Sequence, residues 1–449
     1  MNRLFIDNSI AAVIRKMERG ELKPSEVVSA SLSNIAESDS QFHAWVVYGD
    51  GLIEQIRKEE ETFGIEAGKL FEYIPIGVKD IYNTRDFPTQ MGSPLWKDFT
   101  PGNDARSVFN LKREGAVVVG KTVTAEFAVH TLGKTLNPYD TSRTPGTSSS
   151  GSAVAVALGH VPLATGSQTA GSIVRPASFC GIYGMKPSFG TIPRTGTLKT
   201  TDSLDTLGFF VIHGSDLLRG FDSLRVRGKN YPISNSALSD PSRQKKEDGK
   251  PWRVRIARTH TWENAPAYAK EALESFVKKL ALQTGIEISD IALPVGMERA
   301  HSIHETIYNK ALSYYFKDEH KKSSFVSPIM NELIAAGNII DIESYQQAIA
   351  DQRSLIYAMD EYMQEVDVLI SLSTAGEAPY RDVTELPDPA LMWTLAHLPV
   401  VSVPQFRSPK GLPFGFQVVA RKYNDYLLLE FLDYLRSQKI IPEKAGFYI

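Results

Sequence analysis

Residues 146–181, GTSSSGSAVAVALGHVPLATGSQTAGSIVRPASFCG, crowd serine, threonine and glycine around a short apolar run. The stretch contains no aspartate, glutamate or lysine, and His160 is its only histidine. Hydroxyls placed this way become nucleophiles only if a base reaches them from elsewhere in the chain. Three familiar arrangements fail. GTSSSGS has the look of a phosphate loop, but the lysine that should follow its second glycine is missing. Ser148 and Ser172 both miss the G-x-S-x-G elbow, since Ser150 and Ala170 occupy positions that require glycine. In HSIHE, His301 and His304 share a helix face with Glu305 beside them, yet the spacing is not that of a zinc protease and no third ligand is apparent. No histidine has neighbours that suggest a Ser-His-Asp set.

A nucleophile without an imidazole remains. Ser172 sits in T-A-G-S, where small residues let the backbone turn sharply and aim several N–H groups at one point, as an oxyanion hole requires. Lys79, in IPIGVKD, ends an apolar strand. Buried there without a counterion it would lose its proton and serve as the base. Paired with Asp80 at the surface it would be an ordinary cation. The residues alone leave both readings open.

The elements that must position these groups are those of an α/β protein. Residues 7–62 read as helices, with Ile10, Val13, Ile14 and Met17 on one face and Val27, Val28, Leu32 and Ile35 on another. Ser25, after Pro24, is a plausible N-cap. From residue 74 the pattern changes. YIPIGVKD and GAVVVGKT are short β-branched runs bounded by glycine, with helical spacing in VFNLKRE between them, so a βαβ unit is expected. SAVAVALGH reads as a small-residue helix on that sheet, WRVRIAR and VDVLISL as strands, and LPVVSVPQF with FGFQVVA as a closing strand pair. Residues 225–252 read as a long polar surface loop, 263–283 and 296–365 as helical, and Tyr426–Ser437 as a last helix. Tyr308, Tyr314, Tyr315, Phe316 and Tyr357 either wall a substrate pocket or belong to the core.

Composition narrows the function classes. The chain has 449 residues, 42% hydrophobic and 22% charged, with a net charge of −3. So even a balance gives no reason to expect nucleic acid or an anionic membrane as partner. The single cysteine, Cys180, excludes an intrachain disulfide and a cysteine-based metal site. MNRLFIDNSI lacks the apolar core of a signal peptide, and no apolar run approaches the ~20 residues of a membrane span. A cytoplasmic soluble protein is the expectation.

The stretch GTSSSGSA, GSQTAGSIVRPAS and CGIYGMKP resembles the amidase signature family. IGVKDIYNT, GAVVVGKTVTAEFA, SLDTLGFFVIHGSDL, DVLISLSTAGEAP, LPVVSVP and GLPFGFQVVA extend the likeness over roughly residues 5–220 and 366–437. It implies one large α/β/α domain around a central mixed, mostly parallel sheet covered by helices. Within a domain 1–449 it implies N-terminal helices at 1–65, a catalytic core at 66–220, a divergent specificity region at 221–365 and a sheet-completing part at 366–449. It implies Ser172 as nucleophile, Ser148 in a cis peptide as bridge, and Lys79 as base. The oxyanion donors would be the N–H groups of Thr169, Ala170, Gly171 and Ser172, with Ser149, Gln168 and Thr169 steadying the relay or making ordinary loop hydrogen bonds. Thr147 and Ser150 replace glycines of the pattern, Gln168 an aspartate and Ala170 a glycine. Arg175, three residues after the nucleophile instead of two, resembles the branch containing malonamidase. There the matching arginine would grip an acidic or strongly polar acyl group; otherwise it pairs with a carboxylate such as Asp205.

The expected function is therefore cofactor-free, metal-free hydrolysis of a small-molecule carboxamide through an acyl-enzyme on Ser172. Alternatives are the glutaminase component of an amidotransferase complex, an amide-forming acyltransferase, and a non-catalytic relative of the fold. The expected partner is the amide substrate, with no nucleic acid and no membrane; a homodimer is left open.

Overall fold

The computed structural model describes residues 2–446 except 50, 67 and 291. Short runs rich in Val, Ile, Gly and Phe form strands buried on both faces, which is why they read as continuous apolar stretches and not as alternating ones. In chain order the strands are β1 (Trp45–Tyr48), β2 (Pro75–Lys79), β3 (Val117–Thr122), β4 (Leu163–Gln168), β5 (Tyr183–Lys186) and β6 (Thr206–Val211). They continue with β7 (Trp252–Ile256), β8 (Ile286–Ser289), β9 (Val368–Leu372), β10 (Val400–Arg407) and β11 (Pro413–Ala420). They form one 11-stranded mixed sheet, ordered β1-β3-β2-β4-β6-β5-β10-β11-β9-β7-β8, with helices packed over it. Among the described residues no helix is long and apolar enough to cross a membrane.

The mixed sheet agrees with expectation, but its parallel pairs lie in two blocks only. β3/β2 and β2/β4 form one, β9/β7 and β7/β8 the other. All pairs between β4 and β9, and the β1/β3 edge, are antiparallel, so parallel pairing is less extensive than "mostly parallel" implies. The reason lies in the connections. Segments 187–205 and 408–412 contain no α-helix and return the chain as antiparallel neighbours.

Other expectations need correction. Residues 7–62 are not all helix, because Trp45–Tyr48 forms an edge strand against β3. Ser25 is not an N-cap. The helix Pro24–Phe42 starts on Lys23, whose N–H donates to Glu26 Oε2 at 2.8 Å, and Ser25 binds Glu60. The segment 225–252 is not one loop: Pro232–Leu238 and Pro241–Gln244 are helices, each opened by proline at its first position. β8 lies just beyond the helix Ala267–Ala281 and continues the sheet beside β7.

Two details carry the fold to the site. The all-buried helix Ser150–Ala157 rests against the sheet so closely that a Cβ on Gly151 would lie 2.3 Å from the Ala44 carbonyl oxygen. Only glycine lets the start of this helix, with Ser148 and Ser149 just before it, approach that far. Next to Lys79, Asp80 turns to the opposite side and meets Lys121 of β3 at 3.1 Å, both fully buried. Lys121 also donates to the Tyr82 carbonyl and to Thr89 Oγ1. Lys121→Ala strands Asp80 as an unpaired buried carboxylate. Urea denaturation should show a loss of about 3–5 kcal/mol; an unchanged midpoint and slope would mean that the pair does not hold this end of the sheet.

Candidate functional site

β2 delivers Lys79 into the interior with no exposed surface. Its Nζ lies 2.8 Å from Ser148 Oγ, 2.9 Å from Ser149 Oγ and 2.8 Å from Ser167 Oγ. Among the described residues it has no ion-pair partner, so the surface pairing with Asp80 is not formed. Burial holds its pKa well below the ordinary 10.5, opposed only by the charge of Asp205. A neutral amine has two N–H groups and one lone pair. Ser148 Oγ donates to the Ala128 carbonyl at 2.9 Å, and Ser149 Oγ to the Ser167 carbonyl at 3.3 Å. That leaves the Ser167 hydroxyl to donate to the lone pair. The sequence does not single out Ser167, although the period of two in β4 puts it on one face with Thr165, whose Oγ1 accepts the backbone N–H of Lys79 at 2.9 Å.

Ser148 precedes the helix Ser150–Ala157. Its expected cis bond is absent, as the described residues contain no cis peptide. With this bond trans, Ser148 Oγ still reaches Lys79 Nζ. The backbone that receives the Ser148 proton is unusual. Phe127 and Ala128 are successive left-handed residues, with φ of 49° and 58°, and they turn the Ala128 carbonyl to the hydroxyl. Ser172, almost fully buried, follows β4 in a tight turn. Its Oγ has no hydrogen-bond partner among the described residues, so Lys79 and Ser148 are joined here and Ser172 is not bonded to either.

That turn is held from several sides. Gln168 Oε1 accepts the N–H groups of Ile173 at 2.8 Å and Val174 at 3.0 Å, and its Nε2 donates to Thr394 Oγ1. Thr394 Oγ1 donates in turn to the Ala170 carbonyl at 2.7 Å. Thr169 Oγ1 donates to Asp205, and the Thr169 carbonyl meets His304 Nε2 at 2.9 Å. The backbone N–H groups of Ala170, Gly171 and Ser172 donate to no acceptor among the described residues.

Arg175 is buried, but its partners are not Asp205. Its Nη1 contacts Glu385 at 2.5 Å and Asp388 at 3.5 Å. Both contacts are ion pairs without hydrogen-bond geometry. Burial alone would weaken the guanidinium, and these carboxylates outweigh it. Arg175 Nε and Nη2 and Asp388 Oδ2 are buried without hydrogen-bond partners. Asp388 packs directly on Gly171: a Cβ there would lie 1.7 Å from Asp388 Oδ2. No sequence pattern announces Asp388 or Glu385, which arrive on a loop some 210 residues further along.

A cavity of about 610 Å³ opens over this floor, lined by Thr147, Ala170, Arg175, His304, Tyr308 and Asp388 among others. His130 and His304 are held neutral by burial, both near 4. Of the five aromatic residues named from sequence, Tyr308 lines the cavity and stacks on His304. Tyr314 and Tyr357 face solvent, Tyr315 binds Asp202, and Phe316 packs on Phe127 in the core. Among the described residues no group of three His, Cys, Asp or Glu side chains could hold a metal ion.

The sequence matches the family described as Amidase over residues 26–429. One of the subunits of glutamyl-tRNA(Gln) amidotransferase from Natranaerobius thermophilus is 28% identical, over 93% of this chain and 92% of that protein. The corresponding protein of Staphylococcus epidermidis is similar at 28%, with 94% and 95% covered. A chain from a vestigial protein complex tied to the origins of an s-triazine catabolic enzyme superposes with a TM-score of 0.85 at 24% identity, covering 97% of this chain and 100% of its own. Native peptide amidase from Stenotrophomonas maltophilia gives 0.80 at 24%, covering 99% and 100%. These structures share the fold.

Gln168→Leu removes the acceptor of two buried N–H groups, each costing about 1–3 kcal/mol when unsatisfied. A fall of roughly 2–4 kcal/mol in unfolding free energy is expected, with most of it restored in Gln168→Glu, which keeps the acceptor. Equal losses in both variants would mean that the clamp is not what holds the turn.

Proposed function

This chain belongs to the Amidase family, and we propose that within it the chain hydrolyses a carboxamide through an acyl-enzyme on Ser172. The family assignment makes it an enzyme of hydrolase or amidotransferase-type C–N cleavage. The observation that carries the finer reading is a fully buried lysine whose side-chain partners are serine hydroxyls alone.

In this reading the Ser167 hydroxyl turns away from the Lys79 lone pair and the Ser148 hydroxyl swings from the Ala128 carbonyl into line with it. The Ser172 proton passes to Ser148 Oγ while the Ser148 proton passes to Lys79 Nζ. Ser172 Oγ bonds to the amide carbon, and the N–H groups of the Thr169–Ser172 turn take the negative oxygen. The ammonium then returns its proton through Ser148 to the leaving nitrogen, and the C–N bond breaks. Water attacks the Ser172 ester by the same relay and releases a carboxylate.

Arg175 would read a polar group of the acyl portion through Nε and Nη2, the donors left unpaired. Glu385 offsets the Arg175 charge, and burial pushes the Asp388 carboxyl up towards its neutral form, so the cluster offers a simple anion no net positive charge. A neutral or zwitterionic acyl group, such as the side-chain amide of an amino acid, fits better than a dicarboxylate monoamide.

A second reading has direct support from the relatives named as components of glutamyl-tRNA(Gln) amidotransferase, which match nearly end to end. Here the amide is that of glutamine, and the ammonia goes to a partner protein. Glutaminase activity that appears only with a co-purifying partner would favour it; turnover by the isolated chain favours hydrolysis.

A panel of aliphatic, aryl and amino-acid amides tests both. Ser172→Ala should abolish turnover and fluorophosphonate labelling. Ser148→Ala and Lys79→Met should each lower kcat by about 10²–10⁴-fold, the usual share of general acid–base catalysis. Full activity of Lys79→Met rules out the relay. For Arg175, the preference for a neutral amide over a dicarboxylate monoamide should widen in Arg175→Ala, which leaves Glu385 without its cation; an unchanged preference removes it from substrate binding.

A further inference from the structure

The cavity changes character from floor to mouth. Its floor is polar, with Arg175, Asp388 and Thr147. Its mouth is lined by Leu132, Ile329, Leu333, Tyr380, Val383 and Leu386. Five of these, all but Leu333, are large hydrophobic side chains exposed between 36% and 53%. Clustered apolar exposure at the entrance of a cavity marks a binding surface, whereas isolated apolar residues elsewhere do not.

The mouth is built to stay in place. Thr131 Oγ1 and Ser327 Oγ, 2.7 Å apart, tie the segment bearing Leu132 to the helix bearing Ile329. Arg381 donates to the carbonyls of Thr135 at 2.7 Å and Gly133 at 2.6 Å, which fastens the loop bearing Val383 and Leu386 to the same side. The Arg143 guanidinium lies 4.2 Å over the Tyr380 ring. These polar groups are used in holding the rim, so the hydrocarbon side chains are free to meet a ligand, with Glu305, Asp382 and Thr384 the exposed polar residues beside them. The volume, about 610 Å³, also exceeds what a short amide fills. At ~30 Å³ per water it would hold roughly twenty waters, and it lies within the range of sites for drug-sized ligands.

We propose that the substrate is an amide carrying an apolar group of several carbons, which leaves the polar floor and lies against the rim formed by Leu132, Ile329, Val383 and Leu386. This rests on the reading of Ser172 as the site of amide cleavage. Free glutamine would leave the rim uncovered. The specificity residues would be Ile329, Val383 and Leu386, which touch neither Lys79 nor the serines.

Two homologous series test the proposal, one lengthened in the acyl chain from propionamide to octanamide and one lengthened in the N-alkyl substituent. Burial of each methylene corresponds to about fourfold in kcat/KM. A rise of that order per carbon over several carbons in one series is expected. It should flatten in Ile329→Ser and in Leu386→Ser, two substitutions at partly exposed positions. Calorimetric binding of the same amides to Ser172→Ala separates this proposal from the catalytic one. A chain-length slope in binding supports the apolar mouth even if wild type turns over none of them. A flat series in both turnover and binding overturns it, including the case in which Ser172-dependent hydrolysis of short amides persists.

Discussion

Lys79 stands at the end of a fully buried strand, with three serine hydroxyls within 2.9 Å and no carboxylate in ion-pair reach among the described residues. Desolvating an ammonium without a counter-charge is so unfavourable that the group gives up its proton instead. That single electrostatic constraint turns a cation into a base. It also decides what the neighbours must be: hydroxyls can both donate to and accept from a neutral amine, and a carboxylate would return its proton.

The adjacent strand shows the other outcome. Lys121 is as buried as Lys79, yet it lies 3.1 Å from Asp80, and burial lowers its pKa only to about 8 against that charge. Asp80 is the residue after Lys79 and the nearest carboxylate in sequence. Strand alternation points it to the far side, where Lys121 engages it. The fold thus separates a structural ion pair from an isolated amine using two successive residues. The crowded packing at Gly151 and the clamp of Gln168 on Ile173 and Val174 then bring the serine-rich segments to the amine side.

Much of this is legible in the sequence because its signals are local. The apolar runs at 75–79, 117–122, 252–256 and 368–372 mark strands close to their observed limits, and the hydroxyl-rich stretch holds the serines that meet Lys79. What stays hidden depends on distant chain. Glu385 and Asp388 reach Arg175 from a loop with no pattern of its own, and Ser167 looks like one more small polar residue until β4 places it under Nζ. The pairing directions across the middle of the sheet follow from how connections close in space. The helices at 232–244 are hidden for a simpler reason: the prolines that open them suit a loop equally well.

The most direct test is the titration of Lys79 itself. With lysine labelled at Cε, its resonance can be identified by its loss in Lys79→Met and so distinguished from the buried Lys121 and Lys186. A midpoint well below 10.5 is expected in the folded protein. A Lys79 that remains protonated up to or beyond 10.5 would contradict it.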